Sequence, residues 1–475
     1  MSHDASPMQA GTAGTSWIGK PISALKFLRR IRDNGISIYP ASAHEVDFVS
    51  RRLGLQQFIL LNHPDYIQHV LVRNQENYPK GRLTRQILGP ALGRGLLNSE
   101  GAFWRQQRRI SAPSFHHKRL IDLAQMMSDT AIKTADKWQT AAQSGEPLDI
   151  ARDMMRLTME IVAKSLFSHD IAGSIDELGA AIRVMIDSIG RPSLLDLLGL
   201  PEWLPRPRSS EFTAAMALID TTIYEILRQR RAATQTTGEN AGDLLGMLLA
   251  ARDEETGEGM SDRQLRDEVV TIFAAGHETT AVAMSWTWYL LSQHPQCEAR
   301  LHEELDQVLA GRAPCFADLE QLPYTRMVFE EAIRLYPPAF SLTRVAAADD
   351  SVGPHHIPKG AMVTLSPWVT HRNPRLWPDP ERFDPERFLP EAVRQRHKFA
   401  YFPFGGGPRV CIGNSFALME GRLILAALAQ RYRLRLEPDH PVKPQGRITL
   451  RPRHGMRMTI EARSLYPGKA KSNWR

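Results

Sequence analysis

The sequence predicts a mainly α protein with a smaller β region, an α+β chain folded as one large domain. Three observations lead there. From about Phe103 to Ala310 the apolar residues recur mostly at helical spacing. One stretch inside that region, Val269 to Leu291, stays apolar for much longer than a strand. Short β-branched runs are confined to the first hundred residues and to the chain after Leu335.

The elements follow in order. Residues 1–20 have an early acidic residue and no apolar run of seven, so they form a lead-in rather than a secretory signal or membrane anchor. Residues 21–475 contain no Gly/Ser linker and no 20 to 50-residue repeat, and are read as a single domain. Gln57 to Leu61 is the first strand-like run. The helical region is broken at Gly190 to Pro207 and at the polar Thr234 to Gly242. Val269 to Leu291 has the length of a membrane span but carries His277 and Glu278 near its middle, and a carboxylate in lipid costs about 2.5 kcal/mol or more. A helix buried in protein is therefore expected. After Leu335 the chain is Pro-rich and irregular, with a strand at Met362 to Leu365, a helix at Asn414 to Ala429 and β-like runs to the end.

Composition excludes whole classes of function. At 475 residues, 43% apolar and 23% charged, the chain can bury a large core and is neither collagenous nor disordered. Its net charge of +7 is unevenly placed, with basic ends and an acidic middle. That pattern suits a solvated surface, or a basic face for an acidic protein partner or anionic ligand. No Arg/Lys stripe interleaves with aromatics, so nucleic acid is not expected as a partner. The cysteines Cys297, Cys315 and Cys411 are odd in number and widely spaced, which argues against a disulfide framework or structural zinc and for a reducing, cytoplasmic compartment.

Cys411 lies in Phe404-Gly405-Gly406-Gly407-Pro408-Arg409-Val410-Cys411-Ile412-Gly413, just before the predicted helix. An isolated cysteine is by default a small buried hydrophobe. Here the glycines let the backbone turn tightly and approach something flat, and a helix N-terminus favours the thiolate. A thiolate without a second ligand at metal-site spacing suits the axial position of haem iron.

The pattern F-x-x-G-x-R-x-C-x-G resembles the cysteine-ligand loop of the cytochrome P450 superfamily, the haem-thiolate monooxygenases, with Phe404, Gly405, Arg409 and Gly413 around the cofactor and Cys411 on its iron. Four further segments resemble that family in the expected order between Gly101 and Ala429. Ala275-Gly276-His277-Glu278-Thr279-Thr280 matches its oxygen-binding groove. There Gly276 widens the helix, and Glu278 and Thr279 relay protons; the alternative is a kinked core helix with Thr279 bonded to the carbonyl one turn earlier. The zinc-protease pattern H-E-x-x-H fails because position 281 is Ala. Glu331-x-x-Arg334 would join Arg387, or alternatively Arg382, of the two P-E-R-F repeats in a buried structural network. Trp104-x-x-x-Arg108 resembles a propionate-binding pair; Arg344 and Arg409 match the other propionate positions, while Arg105 and Arg109 would face outward where electrons arrive.

The resemblance implies a mostly α fold with haem b between the long central helix and the Cys loop. It also implies insertion of one atom of O2 into a lipophilic small molecule, with thiolate donation favouring O–O cleavage. Two rivals are a haem-thiolate peroxygenase or isomerase, which the intact Glu278/Thr279 pair disfavours, and a haem-based binding protein without turnover. The chain has 64 residues after Cys411 and no flavin, iron–sulfur or dinucleotide motif, so electrons from NAD(P)H are expected through a separate ferredoxin or flavodoxin and its reductase, acting on a monomer without an anchor. Ala275, Pro338 and Ala339 match positions near the reacting carbon. Their small apolar side chains fit a fatty acid or terpenoid-like lipid.

Overall fold

The computed structural model describes residues 24–53, 56–167, 175–190, 208–237 and 242–463. The expected lead-in and most of the expected break at Gly190 to Pro207 lie outside them.

The central helix runs Asp262–Gln293, about 48 Å at 1.5 Å per residue. Ser261 and Gln264 start it with a reciprocal capping box. Its apolar stretch is buried in protein, with Val269, Val270, Trp286 and Leu291 each at most 1% exposed. Among the described residues no helix is long and apolar enough to cross a membrane. Helix Ile150–Phe167 packs along it, while Asn414–Ala429 packs against both the central helix and His117–Ser144. Close approach at one crossing requires glycine: a Cβ on Gly421 would lie 2.1 Å from the Phe329 ring. Trp138 and Trp288 meet edge to face at 6.0 Å inside this core.

Most strands sit where the sequence placed them, near both ends of the chain; the exception is the two-residue Leu148–Asp149 within the helical region, which forms by pairing with Arg457–Ala462. Gln56–Leu61 lies between Phe48–Leu53, antiparallel, and Met362–Leu365, parallel with Ile59 opposite Val363; Leu342–Val345 completes the sheet. A second sheet orders Leu148–Asp149, Arg457–Ala462 and Tyr432–Leu436. Two small hairpins pair Asp350–Val352 with His355–Ile357 and Pro444–Gly446 with Leu450–Pro452. The predicted helix at Asn414 to Ala429 and strand at Met362 to Leu365 are reproduced to the residue. One boundary is corrected. Helix Ser210–Thr237 continues through Thr234 to Thr237, because a polar composition without Gly or Pro does not break a helix already held by its apolar face.

Candidate active site

Cys411 stands three residues before helix Asn414–Ala429. Its loop is set by glycines that no other residue could replace. Gly405 and Gly407 have φ of +73° and +66°, and a Cβ on Gly407 would lie 1.9 Å from the carbonyl oxygen of Leu71. The Cys411 N–H donates to the Phe404 carbonyl at 3.0 Å, which closes the loop. Cys411 is deep in the molecule yet accessible, and Ala275, in the mostly buried middle of the central helix, is exposed as well. Residues that are accessible without lying at the periphery line an internal hollow. Burial pushes the Cys411 thiol up, opposed by the Gly413 N–H and the charge of Arg108.

Cations gather beside this hollow. The Arg409 guanidinium stacks on Trp104 at 4.0 Å, pairs with Glu100 at 2.5 Å and donates to the Ser99 carbonyl at 3.1 Å. Arg344 is 8% exposed and donates only to its neighbour's carbonyl, Thr343, at 2.9 Å. Burial and Arg409 lower it to about 10. Lys80 donates to the Leu97 carbonyl, and burial with Arg409 and Arg344 brings its pKa down to about 7. Arg108 is half-buried and has no ion-pair partner among the described residues. Glu100 alone offsets Lys80, Arg344 and Arg409, so the cluster is matched to a ligand with more than one negative charge. A sulfur ligand, a glycine cradle and this excess of cations fit haem and its two carboxylates. Lys80 was not anticipated; it lies in no motif, and nothing short of the tertiary fold brings it to Arg344 and Arg409.

The central helix departs from expectation at the groove. It is α-helical throughout, with no widened turn at Gly276. The Thr279 hydroxyl instead donates to the Ala275 carbonyl at 2.8 Å, and Thr280 to Gly276 at 3.4 Å. Glu278 and Thr279 point apart, since successive helical residues are about 100° apart. Glu278 is 4% exposed and accepts a 2.7 Å bond from the Thr449 hydroxyl. Burial raises its pKa, against Thr449 and Arg451. His277 turns into the core, its ring bonded to the Phe273 carbonyl at 2.8 Å and held neutral by burial, with a pKa of about 4.

Glu331 and Arg334 form a bidentate pair at 2.6 and 2.8 Å, both wholly buried. Arg334 also donates to the carbonyls of His371, Pro380 and Arg382. Arg387 approaches Glu331 at 3.5 Å, whereas the Arg382 side chain pairs with Asp384. The buried His371 ring accepts the Phe402 N–H at 3.0 Å, which carries the network to the start of the Cys loop. Of the expected pocket residues, Ala275 is exposed, Ala339 half-buried and Pro338 buried, with the Pro338 carbonyl accepting the Leu450 N–H at 3.0 Å.

The expected outward pair is corrected. Arg105 is exposed, but Arg109 is bound to Asp253 at 3.0 Å and Glu255 at 2.9 Å. The i,i+4 spacing sets a shared face; it does not reveal that an acidic turn folds back onto one of the two.

The family model for cytochrome P450 matches residues 27–457. The chain belongs to the cytochrome P450 family. Two similar proteins come from Streptomyces melanosporofaciens, each 38% identical. Cyclooctatin synthase is matched over 85% of this chain and 86% of its own, and cyclooctat-9-en-7-ol 5-monooxygenase over 82% and 83%. The crystal structure of the cytochrome P450DA heme domain superposes with a TM-score of 0.78 at 28% identity, covering 88% of this chain and 90% of that one. This P450 is thus a haem-dependent monooxygenase that uses O2, redox partners and a lipophilic substrate.

Proposed function

We propose that this P450 hydroxylates a terpenoid-like lipid, and that the Cys411 thiolate would hold haem b through its iron. The single observation that carries the reading is the accessible Cys411 sulfur deep in the fold, beside an excess of buried cations. Trp104, Arg108, Arg344 and Arg409, joined by Lys80, would hold the two carboxylates of the group. Phe404, Gly405 and Gly413 would shape the loop against its face. Bound haem supplies the iron at which O2 is reduced, so that substrate, O2, two electrons and two protons give the hydroxylated product and water.

The chain's own residues manage those protons. Thr279, held by the Ala275 carbonyl, presents its oxygen to the hollow; Glu278, buried one residue earlier, is the acid that recharges it after turning from Thr449. When that supply fails, O2 with two electrons and two protons leaves as hydrogen peroxide and the substrate is unchanged. Glu331, Arg334 and Arg387 serve the fold, by fixing the chain that leads to the Cys loop. Residues 21–475 act as one domain, a reading supported by a continuous core from Ala91 to Ile460. Electrons would come from a cytoplasmic ferredoxin or flavodoxin with its reductase, meeting a monomer near the exposed Arg105.

Two relatives whose names give cyclooctatin and cyclooctat-9-en-7-ol favour a terpenoid over a fatty acid. A spectral titration of the ferric protein with terpenoid alcohols, fatty acids and steroids tests this. A saturable shift with terpenoids is expected; a shift with fatty acids alone would overturn the substrate assignment.

A further inference from the structure

The hairpin formed by Pro444–Gly446 and Leu450–Pro452 touches the central helix at two points. Thr449 donates to Glu278 at 2.7 Å, and two turns further on the Trp286 indole N–H donates to the Leu450 carbonyl, also at 2.7 Å. The Thr449 and Glu278 side chains are each 4% exposed, so their bond is shut off from water. The same hairpin holds the chain beside the pocket through the Leu450 N–H and the Pro338 carbonyl. It also holds helix Ile175–Ile189, where Arg451 pairs with Asp187 at 2.9 Å. Its tip residue Ile448 is an exposed large hydrophobe, 41% accessible, and stands against Gly190 at the end of that helix. One short hairpin thus joins the relay acid, the pocket wall and an apolar tip.

We propose that Thr449 is a positioning residue for proton delivery: its hydroxyl keeps the Glu278 carboxyl docked away from Thr279 until a lipophilic substrate displaces the Ile448 tip and frees it. The inference rests on the reading of Glu278 and Thr279 as the relay, and deepens it. A carboxylate docked on a buried hydroxyl is a good acceptor but cannot reach Thr279. Releasing it only when substrate fills the pocket prevents electrons from being spent on reducing O2 to water with no substrate to oxidise. The other charged groups facing Glu278 are Arg451, which favours its ionised form, and Asp187, which opposes it. His277 beside it is neutral.

The test is Thr449→Val, close in shape but without the donor, with Thr449→Ser as the conservative rescue and Thr449→Ala should valine disturb the fold. In an infrared titration of the full-length protein, the band of the protonated Glu278 carboxyl, identified by its loss in Glu278→Gln, should persist to a pH at least about half a unit higher in Thr449→Val, because a bond to the ionised form has been removed. Reduction of O2 to water without substrate, with four electrons and four protons consumed per O2, should rise roughly threefold or more, while substrate-bound turnover stays coupled. Thr449→Ser should restore both. An unchanged titration and unchanged substrate-free reduction of O2 to water in Thr449→Val, with Thr279→Ala uncoupled, would overturn the role of Thr449 alone. If Thr279→Ala stays coupled, the relay reading fails and the proposal falls with it.

Discussion

Arg334 closes on Glu331 through two parallel bonds of 2.6 and 2.8 Å with neither side chain exposed to solvent. The remaining guanidinium hydrogens reach three carbonyls of the segment that precedes the Cys loop, so helix Pro323–Leu335 and that segment are locked by a single side chain. Removing either partner leaves a buried charge without its counterion. Glu331→Gln and Arg334→Ala should each cost about 3 to 5 kcal/mol. Arg387→Ala should cost about 1 kcal/mol, because its contact with Glu331 is longer and partly solvated. Arg382→Ala should change the melting temperature little, since the network uses only its backbone carbonyl and its side chain makes an exposed ion pair with Asp384. Thermal unfolding of the four variants checks that order.

Cys411→Ser should abolish the thiolate-type Soret band of the reduced carbon monoxide complex while secondary structure is kept. Serine is close to cysteine in size, and the glycines still set the loop. A retained band would remove Cys411 from the iron.

Thr279→Ala should keep consuming NAD(P)H in the reconstituted system but release peroxide in place of product. The hydroxyl bonds to one carbonyl on its own helix and to no distant group, so folding should be unaffected. Peroxide and product are counted per reducing equivalent, and tight coupling would exclude Thr279 from the relay.

Arg105→Glu should slow reduction by an acidic ferredoxin several-fold without altering the substrate-induced spectral shift. Arg109→Glu should lower the melting temperature instead, because it places a carboxylate against Asp253 and Glu255. Stopped-flow reduction and thermal unfolding separate the two effects.

Glu420 predicts a pH dependence of stability. It is fully buried, and burial raises it to about 8 against the opposing effect of the Thr280 hydroxyl. Its folded pKa exceeds its unfolded one, so the folded state binds the extra proton between about pH 4.5 and 8 and stability falls as pH rises through that window. Glu420→Gln should flatten the fall and gain roughly 3 kcal/mol at pH 8. Glu268, also raised to about 8, leaves part of the slope in place. Denaturant unfolding at pH 5 and pH 8 gives the difference directly.

The sequence alone determined what depends on neighbours in the chain. Apolar spacing set the central helix, and a short β-branched run within Pro-rich chain set the strand Met362–Leu365. Spacing within ten residues set the Cys loop, and an i,i+3 pair set Glu331 with Arg334. Such features follow from local periodicity and backbone conformation, which a single segment carries in full. Tertiary structure decided what depends on the far partner. Thr449 reaches Glu278 from 171 residues away, Asp253 and Glu255 neutralise Arg109 on the surface, and Lys80 joins Arg344 and Arg409 from outside any motif. Burial then sets which of these charges survive, since a carboxyl such as Glu420 and a guanidinium such as Arg344 shift by desolvation that only the closed fold imposes. The linear pattern names the groups able to do the chemistry; the packing of distant segments fixes where each one points and which protons it holds.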